Sequence, residues 1–318
     1  MRTVKGIKEG RALLSRQPGY DEPELPAAAA LRTQEIFGEA LSATQAVRRV
    51  LADVRALGDA AVLDYSRRID GLEPSALEVP RDKWASALDR TPSELVEALL
   101  TAASRIKAYH TASMPTGWSD DDEGYGARVV PIERVGLYVP GGTAEYPSTV
   151  LMSAIPAKVA GVPDVILCTP SPSTITLAAA QIAGVDRLFQ IGGAQAIGAM
   201  AYGTDSVPKV DKICGPGNIF VSIAKREVYG QVDIDGLYGP TETMVIADES
   251  ADPVLAAADL LAQAEHDEMA SPILITTDAA TAEKVAAEIE RQVSTLERGS
   301  IASAAMASQG LAVVVDSV

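Results

Sequence analysis

The sequence runs to 318 residues, 47% hydrophobic but 4% aromatic, so it exceeds the usual size of one domain and must fill its cores largely with small aliphatic side chains. A formal charge of −16 repels phosphate backbones and anionic bilayers, which argues against nucleic-acid or membrane binding as the main function. The two cysteines, Cys168 and Cys214, lie in apolar strand-like runs and read as free thiols of a reducing compartment; residues 1–17 lack the apolar core of a signal peptide, so a cytoplasmic protein is expected.

The first third reads as helical. Ser42 and Gln45 fit a capping box, in which each side chain answers a backbone N–H that a helix start leaves free. Val47, Val50, Leu51 and Val54 then form a helical stripe that Gly58 ends. Thr91, Pro92 and Glu94 mark a second start, with proline at the first helical position, before a helix to about residue 109. His110 closes it, where a cationic imidazole meets the carbonyl end of the helix dipole; this structural role is preferred to metal ligation. The acidic run 120–123 lacks the alternating ligands of a calcium loop and reads as a solvated loop.

From residue 129 to 230 short apolar runs alternate with helical stretches, the pattern of parallel strands with crossover helices. Strands are predicted at 135–139, 165–169, 187–191 and 212–214, and helices at 147–160, 175–183, 194–201 and 219–229. Three strands run into glycine, at Gly141-Gly142, Gly192-Gly193 and Gly215-Pro216-Gly217. Glycine there lets a ligand approach the backbone, and this carboxyl edge is where open α/β sheets bind ligands. Tight turns in any α/β fold account for the glycines equally well, and neither GxGxxG nor GxxxxGK[ST] occurs.

The last third alternates again, with strands at 244–247, 273–276 and 311–315, a helix from Pro253, and another at 281–296. A parallel strand normally leads to a covering helix, so the end three residues after 315 is read as a cut inside a domain.

Gln263 and His266 stand three apart on the helix that Asp252 caps and Pro253 opens, so they are expected on one face. Both can ligate a cation, imidazole suiting zinc, but two ligands are too few, and spacing alone favours a solvated surface pair. Cys214 ends a strand just before helix N–H groups, a setting that can lower a thiol pKa. No general base can be assigned beside it, so a structural thiol is preferred.

Taken together, several stretches resemble the histidinol dehydrogenase family. They are Val135-Gly136-Leu137-Tyr138-Val139-Pro140-Gly141-Gly142, Tyr146-Pro147-Ser148-Thr149-Val150-Leu151-Met152, Ala157-Lys158-Val159-Ala160-Gly161-Val162, Gly193-Ala194-Gln195-Ala196-Ile197, Val210-Asp211-Lys212-Ile213-Cys214-Gly215-Pro216-Gly217-Asn218 and Gln263-Ala264-Glu265-His266-Asp267. Their order and spacing fit from about residue 30 onward.

The resemblance implies two incomplete Rossmann-like parallel-sheet lobes, the second inserted within the first, with a helical N-terminal region. On that basis the expected divisions are an N-terminal segment at 1–24, a discontinuous first lobe at 25–136 with 240–318, and an NAD-binding second lobe at 137–239. It implies Tyr138, Gln195 and Asn218 as NAD contacts, and Gln263 and His266 as zinc ligands that also touch substrate. Thr241, in Gly239-Pro240-Thr241-Glu242, takes the place of a small hydroxyl residue that helps hold substrate.

The family reaction oxidises histidinol to histidine through a bound aldehyde with two NAD in succession, zinc mainly orienting the substrate, in a homodimer with active sites shared between subunits. The family's catalytic Glu-His pair, a zinc-binding aspartate and a tail with a glutamate and the last zinc-binding histidine all fall beyond the position matching Val318, so no catalytic residue is expected within this chain, which is expected to be inactive. Two alternatives stay open: a relative that oxidises another amino or sulfonated alcohol, and a catalytically silent binding module.

Overall fold

The computed structural model describes residues 1–15, 25, 27–74, 76–141, 145–238 and 241–317. Gly142, Gly239 and Pro240, named above in two motifs, lie outside the described residues, as do 16–24. The chain forms two compact units, one made of Met1–Asp21 with Tyr238–Val318 and the other of Glu22–Leu237, so the second is inserted within the first.

The outer unit opens with strand β1 (Arg2–Lys5) and helix α1 (Ile7–Leu14). The inserted unit then begins with helices α2 (Ala27–Phe37), α3 (Ala43–Leu57) and α4 (Asp59–Tyr65), and a π-helical turn, Ser66–Asp70, that Gly71 ends in the left-handed region. The capping box forms as expected: Gln45 N donates to Ser42 Oγ at 3.2 Å, and Ser42 N donates to Gln45 Oε1 at 3.0 Å. Gly58 does end α3, but α4 follows at once.

Helices α5 (Arg81–Arg90) and α6 (Ser93–Ala112) come next. The start signal before α6 is read one residue out of place: Pro92 occupies the cap, and the Thr91 hydroxyl donates back to Ala87 O of α5 at 2.8 Å. His110 lies in the last turn of α6, its ring edge-on to Tyr109. The acidic run forms the turn of a hairpin, β2 (Trp118–Asp120) and β3 (Tyr125–Ala127), in which the Asp120 carboxylate accepts from Asp122 N and Glu123 N.

The inserted sheet follows as β4 (Arg134–Tyr138), α7 (Pro147–Val159), β5 (Asp164–Cys168), α8 (Thr174–Ala183), β6 (Arg187–Phe189), α9 (Gly193–Tyr202), β7 (Lys212–Cys214), α10 (Ile219–Val228) and the short β8 (Asp233–Ile234). All pairings are parallel, in the order β6-β5-β4-β7-β8. The chain leaves β4 in one direction to β5 and β6 and returns past it to β7, so a switch point opens between β4 and β7.

One face packs Leu137, Val165 and Leu167 against α7 and α8 and is continued by Trp84 of α5 and Leu99 of α6. The other packs Ile166 and Ile213 against α9 and α10 and is continued by Val47, Val50 and Val54 of α3. Each such buried aliphatic side chain contributes about 1.5–3 kcal/mol. The helices upstream of residue 136, expected with the discontinuous lobe, are therefore covering layers of the inserted sheet and group with it. Their apolar stripes were legible; which sheet they cover was not.

The outer unit resumes with β9 (Glu242–Ala247), α11 (Pro253–Ala264), β10 (Ser271–Thr276), α12 (Ala279–Val293), α13 (Gly299–Ser308) and β11 (Leu311–Val314). Its sheet is parallel throughout, in the order β1-β11-β10-β9. The N-terminal residues are thus not a separate segment. Val4 pairs with Val313 in a four-residue strand too short, and with too few apolar residues, to register as a pattern. Among the described residues, no helix is long and apolar enough to cross a membrane.

Candidate functional site

Every strand of the inserted sheet points its carboxyl end at the same edge, and there the turns leaving β4, β6 and β7, with helices α2 and α3, enclose a cavity of about 340 Å³. Tyr138, Gly141, Gly193, Asn218 and Phe220 line it, together with Arg32 and Asp70 from upstream. A neighbouring cavity of about 470 Å³ shares Arg32, Ile69, Asp70, Gly141 and Pro170 with the first and is bordered by Thr169, Ser171 and Ser173 after β5.

Tyr138 ends β4 and is buried; its hydroxyl accepts from Gly193 N at 3.1 Å, which leaves its own hydrogen to donate. Burial raises the phenol's pKa, so it stays neutral. Asn218 caps α10, its Oδ1 accepting from Phe220 N at 3.1 Å and Val221 N at 3.2 Å, so the carbonyl is committed to the helix and the amide is the end able to serve a ligand.

Gln195 lies in the first turn of α9 and is buried. Its Nε2 donates to Asp70 Oδ2 at 3.0 Å, while Oε1 finds no partner among the described residues. A Cβ on Gly193 would stand 2.6 Å from that oxygen, and Gly193 has φ +58°, so glycine both permits the turn and leaves room for the buried amide. Tyr138 and Asn218 therefore border one cavity, and Gln195 stands one layer behind it.

The turn after β7 is braced from below. Lys225 is buried and pairs with Asp235, while its Nζ donates to Gly215 O at 2.9 Å; Asp235 Oδ2 in turn accepts from Gly215 N at 2.8 Å. Gly215 has φ +123°, and a Cβ there would collide with the carbonyl oxygen of Tyr138. Only glycine lets the end of β7 lie against the end of β4. Burial, then Asp235, pushes the thiol of Cys214, just before it, up to about 11, against the lowered pKa that its place before helix N–H groups could give, and burial holds Cys168 high as well.

The remaining expected residues lie in the outer unit. Asp252 caps α11 as expected, accepting from Val254 N at 2.8 Å, with Pro253 in its first turn. The helix ends at Ala264, however, so His266 is not on its face; it is exposed in the following turn, with its N–H on Gln263 O at 3.2 Å. Gln263 is half-buried in the last turn. Thr241 is exposed immediately before β9, and its carbonyl accepts from Ser271 N at 2.8 Å. Among the described residues no group of three or more His, Cys, Asp or Glu side chains is arranged to hold a metal.

Asp70, Arg32 and the Lys225–Asp235 pair were not found from sequence. Asp70 and Gln195 are 125 residues apart, and no motif surrounds the aspartate.

A family model described as histidinol dehydrogenase matches residues 35–318. The chain is 47% identical to the histidinol dehydrogenase of Dehalococcoides mccartyi (strain CBDB1), over 100% of this chain and 74% of that protein. It is 50% identical to that of Aquifex aeolicus (strain VF5), over 84% of this chain and 63% of the relative. The crystal structure of histidinol dehydrogenase from Elizabethkingia anophelis matches with a TM-score of 0.87 at 35% identity, covering 100% of this chain and 71% of that one. The chain thus spans roughly two thirds of the length of the relatives it matches.

Proposed function

The chain belongs to the histidinol dehydrogenase family, and from that premise we propose that its inserted unit holds NAD at the carboxyl edge between β4 and β7. The observation that carries this is the cavity itself, bordered by Tyr138, Gly193 and Asn218, with the unpartnered Gln195 Oε1 behind Gly193. The residues fit a dinucleotide. Tyr138 and the Asn218 amide donate, the glycine turns let the ligand lie on the backbone, and the buried Gln195 amide backs the Gly193 turn. NAD, when bound, supplies a hydride acceptor; the chain's own groups bind and orient it.

On this reading the chain contributes to the oxidation of L-histidinol to L-histidine through the aldehyde, a step of histidine biosynthesis, in a cytoplasmic homodimer. Thr241, Gln263 and His266 are its substrate contacts. Zinc is the second implied group, with Gln263 and His266 as its donors. Two donors make half of a tetrahedral set, and one of them is an exposed side chain outside the helix, so these residues do not make a firm zinc site on their own. No chemical step is derived through it.

Calorimetric titration of the 318-residue chain with NAD tests the reading. Tyr138→Ala, Gln195→Ala and Asn218→Ala are each expected to weaken binding about fivefold, the worth of one hydrogen bond. Asn218→Asp keeps the helix cap while removing the amide donor, and is expected to lose as much. Unchanged affinity in all three alanine variants would overturn the assignment.

A further inference from the structure

Dinucleotide-binding sheets commonly place a carboxylate at the end of the second strand, where it receives a ribose hydroxyl. In the inserted sheet that strand is β5, and the residues after it, Thr169-Pro170-Ser171-Pro172-Ser173, hold no carboxylate. Another segment brings one to the same place. Residues 77–79 run antiparallel along the free edge of β6, Val79 N donating to Leu188 O at 2.8 Å and Gln190 N to Leu77 O at 2.9 Å. Running backward along β6, the preceding residues are carried past its carboxyl end. Asp70, the last residue of the π-helical turn, arrives beside Gly192 and Pro170.

There is no room there for any residue but glycine at 192. A Cβ would stand 3.0 Å from Asp70 Oδ2 and 2.9 Å from Pro170 Cβ. The carboxylate is held from behind by Gln195 Nε2 at 3.0 Å and by the Gly192 backbone N–H, and Arg32 is its charged neighbour. Its open side borders both cavities, which meet at Asp70. π-Helical turns of this kind recur at functional sites, where the widened turn re-aims a side chain.

We infer that Asp70 is the carboxylate that receives the adenosine-ribose hydroxyls of the dinucleotide, supplied from upstream of the sheet in place of the absent acid after β5. The inference rests on the NAD reading above. Gln195 then acts through Asp70, its amide nitrogen fixing the carboxylate. A negative charge at this point also selects against a 2′-phosphate. Asp70 thereby sets the preference for NAD over NADP.

The test measures the affinities of NAD and NADP for the full 318-residue chain, for Asp70→Asn, which keeps an acceptor for Gln195, and for Asp70→Ala, with a thermal unfolding midpoint recorded for each. The wild type is expected to bind NAD at least about tenfold tighter than NADP. Asp70→Ala should lose about tenfold in NAD affinity, as for one hydrogen bond to a charged group, and both variants should bring the two cofactors within about threefold of each other. If both variants keep NAD affinity and the cofactor ratio while Asn218→Asp loses NAD, Asp70 is not the ribose acceptor and the NAD reading stands. An equal loss of NAD and NADP marks Asp70 as merely structural and also overturns the inference. A wild-type chain that takes up neither cofactor ends the NAD reading and this one with it.

Discussion

At the carboxyl edge of the inserted sheet, Asp70, Tyr138 and Asn218 come from widely separated segments and border one cavity. In the outer unit, Gln263 and His266 are three residues apart, yet one closes a helix and the other sits exposed beyond it, and no third ligand joins them among the described residues. A parallel sheet converges the ends of all its strands on one edge whatever their spacing in the chain, whereas a pair on a helix depends on the helix running through both.

If the inserted edge is the organised half, damage there should be costly and damage to the pair in the outer unit cheap. Gly215→Ala is expected to cost most. The strained φ and the clash with Tyr138 carbonyl each amount to about 1–3 kcal/mol, and urea unfolding should show a loss on the order of 4 kcal/mol. Lys225→Met follows, at about 3 kcal/mol, the low end for a broken buried pair because Asp235 keeps some solvent contact. A loss under 1 kcal/mol in both would mean that the turn after β7 is not braced as described.

Asp70 gives a sharper, smaller signal. Burial raises its carboxyl from 3.8 to about 6, against the pull of Arg32, Gln195 and the Gly192 N–H; Tyr138, the other titratable neighbour, stays neutral. The folded state therefore binds this proton more tightly than the unfolded chain. The stability it contributes is fully present below about pH 4 and is lost as pH rises through 6. Relative to the wild type, Asp70→Asn should gain on the order of 1–2 kcal/mol between pH 4 and 7, after allowance for partial exposure. A difference that is flat over that window would contradict the buried carboxylate.

The smallest effect is expected at His266. His266→Ala should change stability by less than about 0.5 kcal/mol, and dialysed wild-type chain should retain well under one zinc per chain by metal analysis. Stoichiometric zinc that His266→Ala abolishes would restore this pair to the rank of an organised site.

Much of the fold was legible where pattern and chemistry agreed. The strands 135–139 and 165–169 fall within a residue of β4 and β5, because continuous apolar runs ending in glycine or turn residues have few other solutions. The Ser42 box and the Asp252 cap formed because their partners are local. Strand β1, by contrast, takes its partner from the far end of the chain, and α13 is an alanine-rich helix with little amphipathic contrast. Of the site, Tyr138 and Asn218 were named through the family resemblance, and the glycine turns they adjoin put them at the edge. Asp70 could not, since its position depends on an antiparallel edge contact of residues 77–79 that leaves no local trace.

Hydrogen exchange on the full chain, with and without saturating NAD, shows which unit takes the dinucleotide. Exchange should slow at 138–141, 192–195 and 215–220, the segments around the cavity, and stay unchanged at 241–266. Slowing confined to 241–266, or none in the inserted unit under conditions where NAD binds, would contradict binding at the inserted sheet.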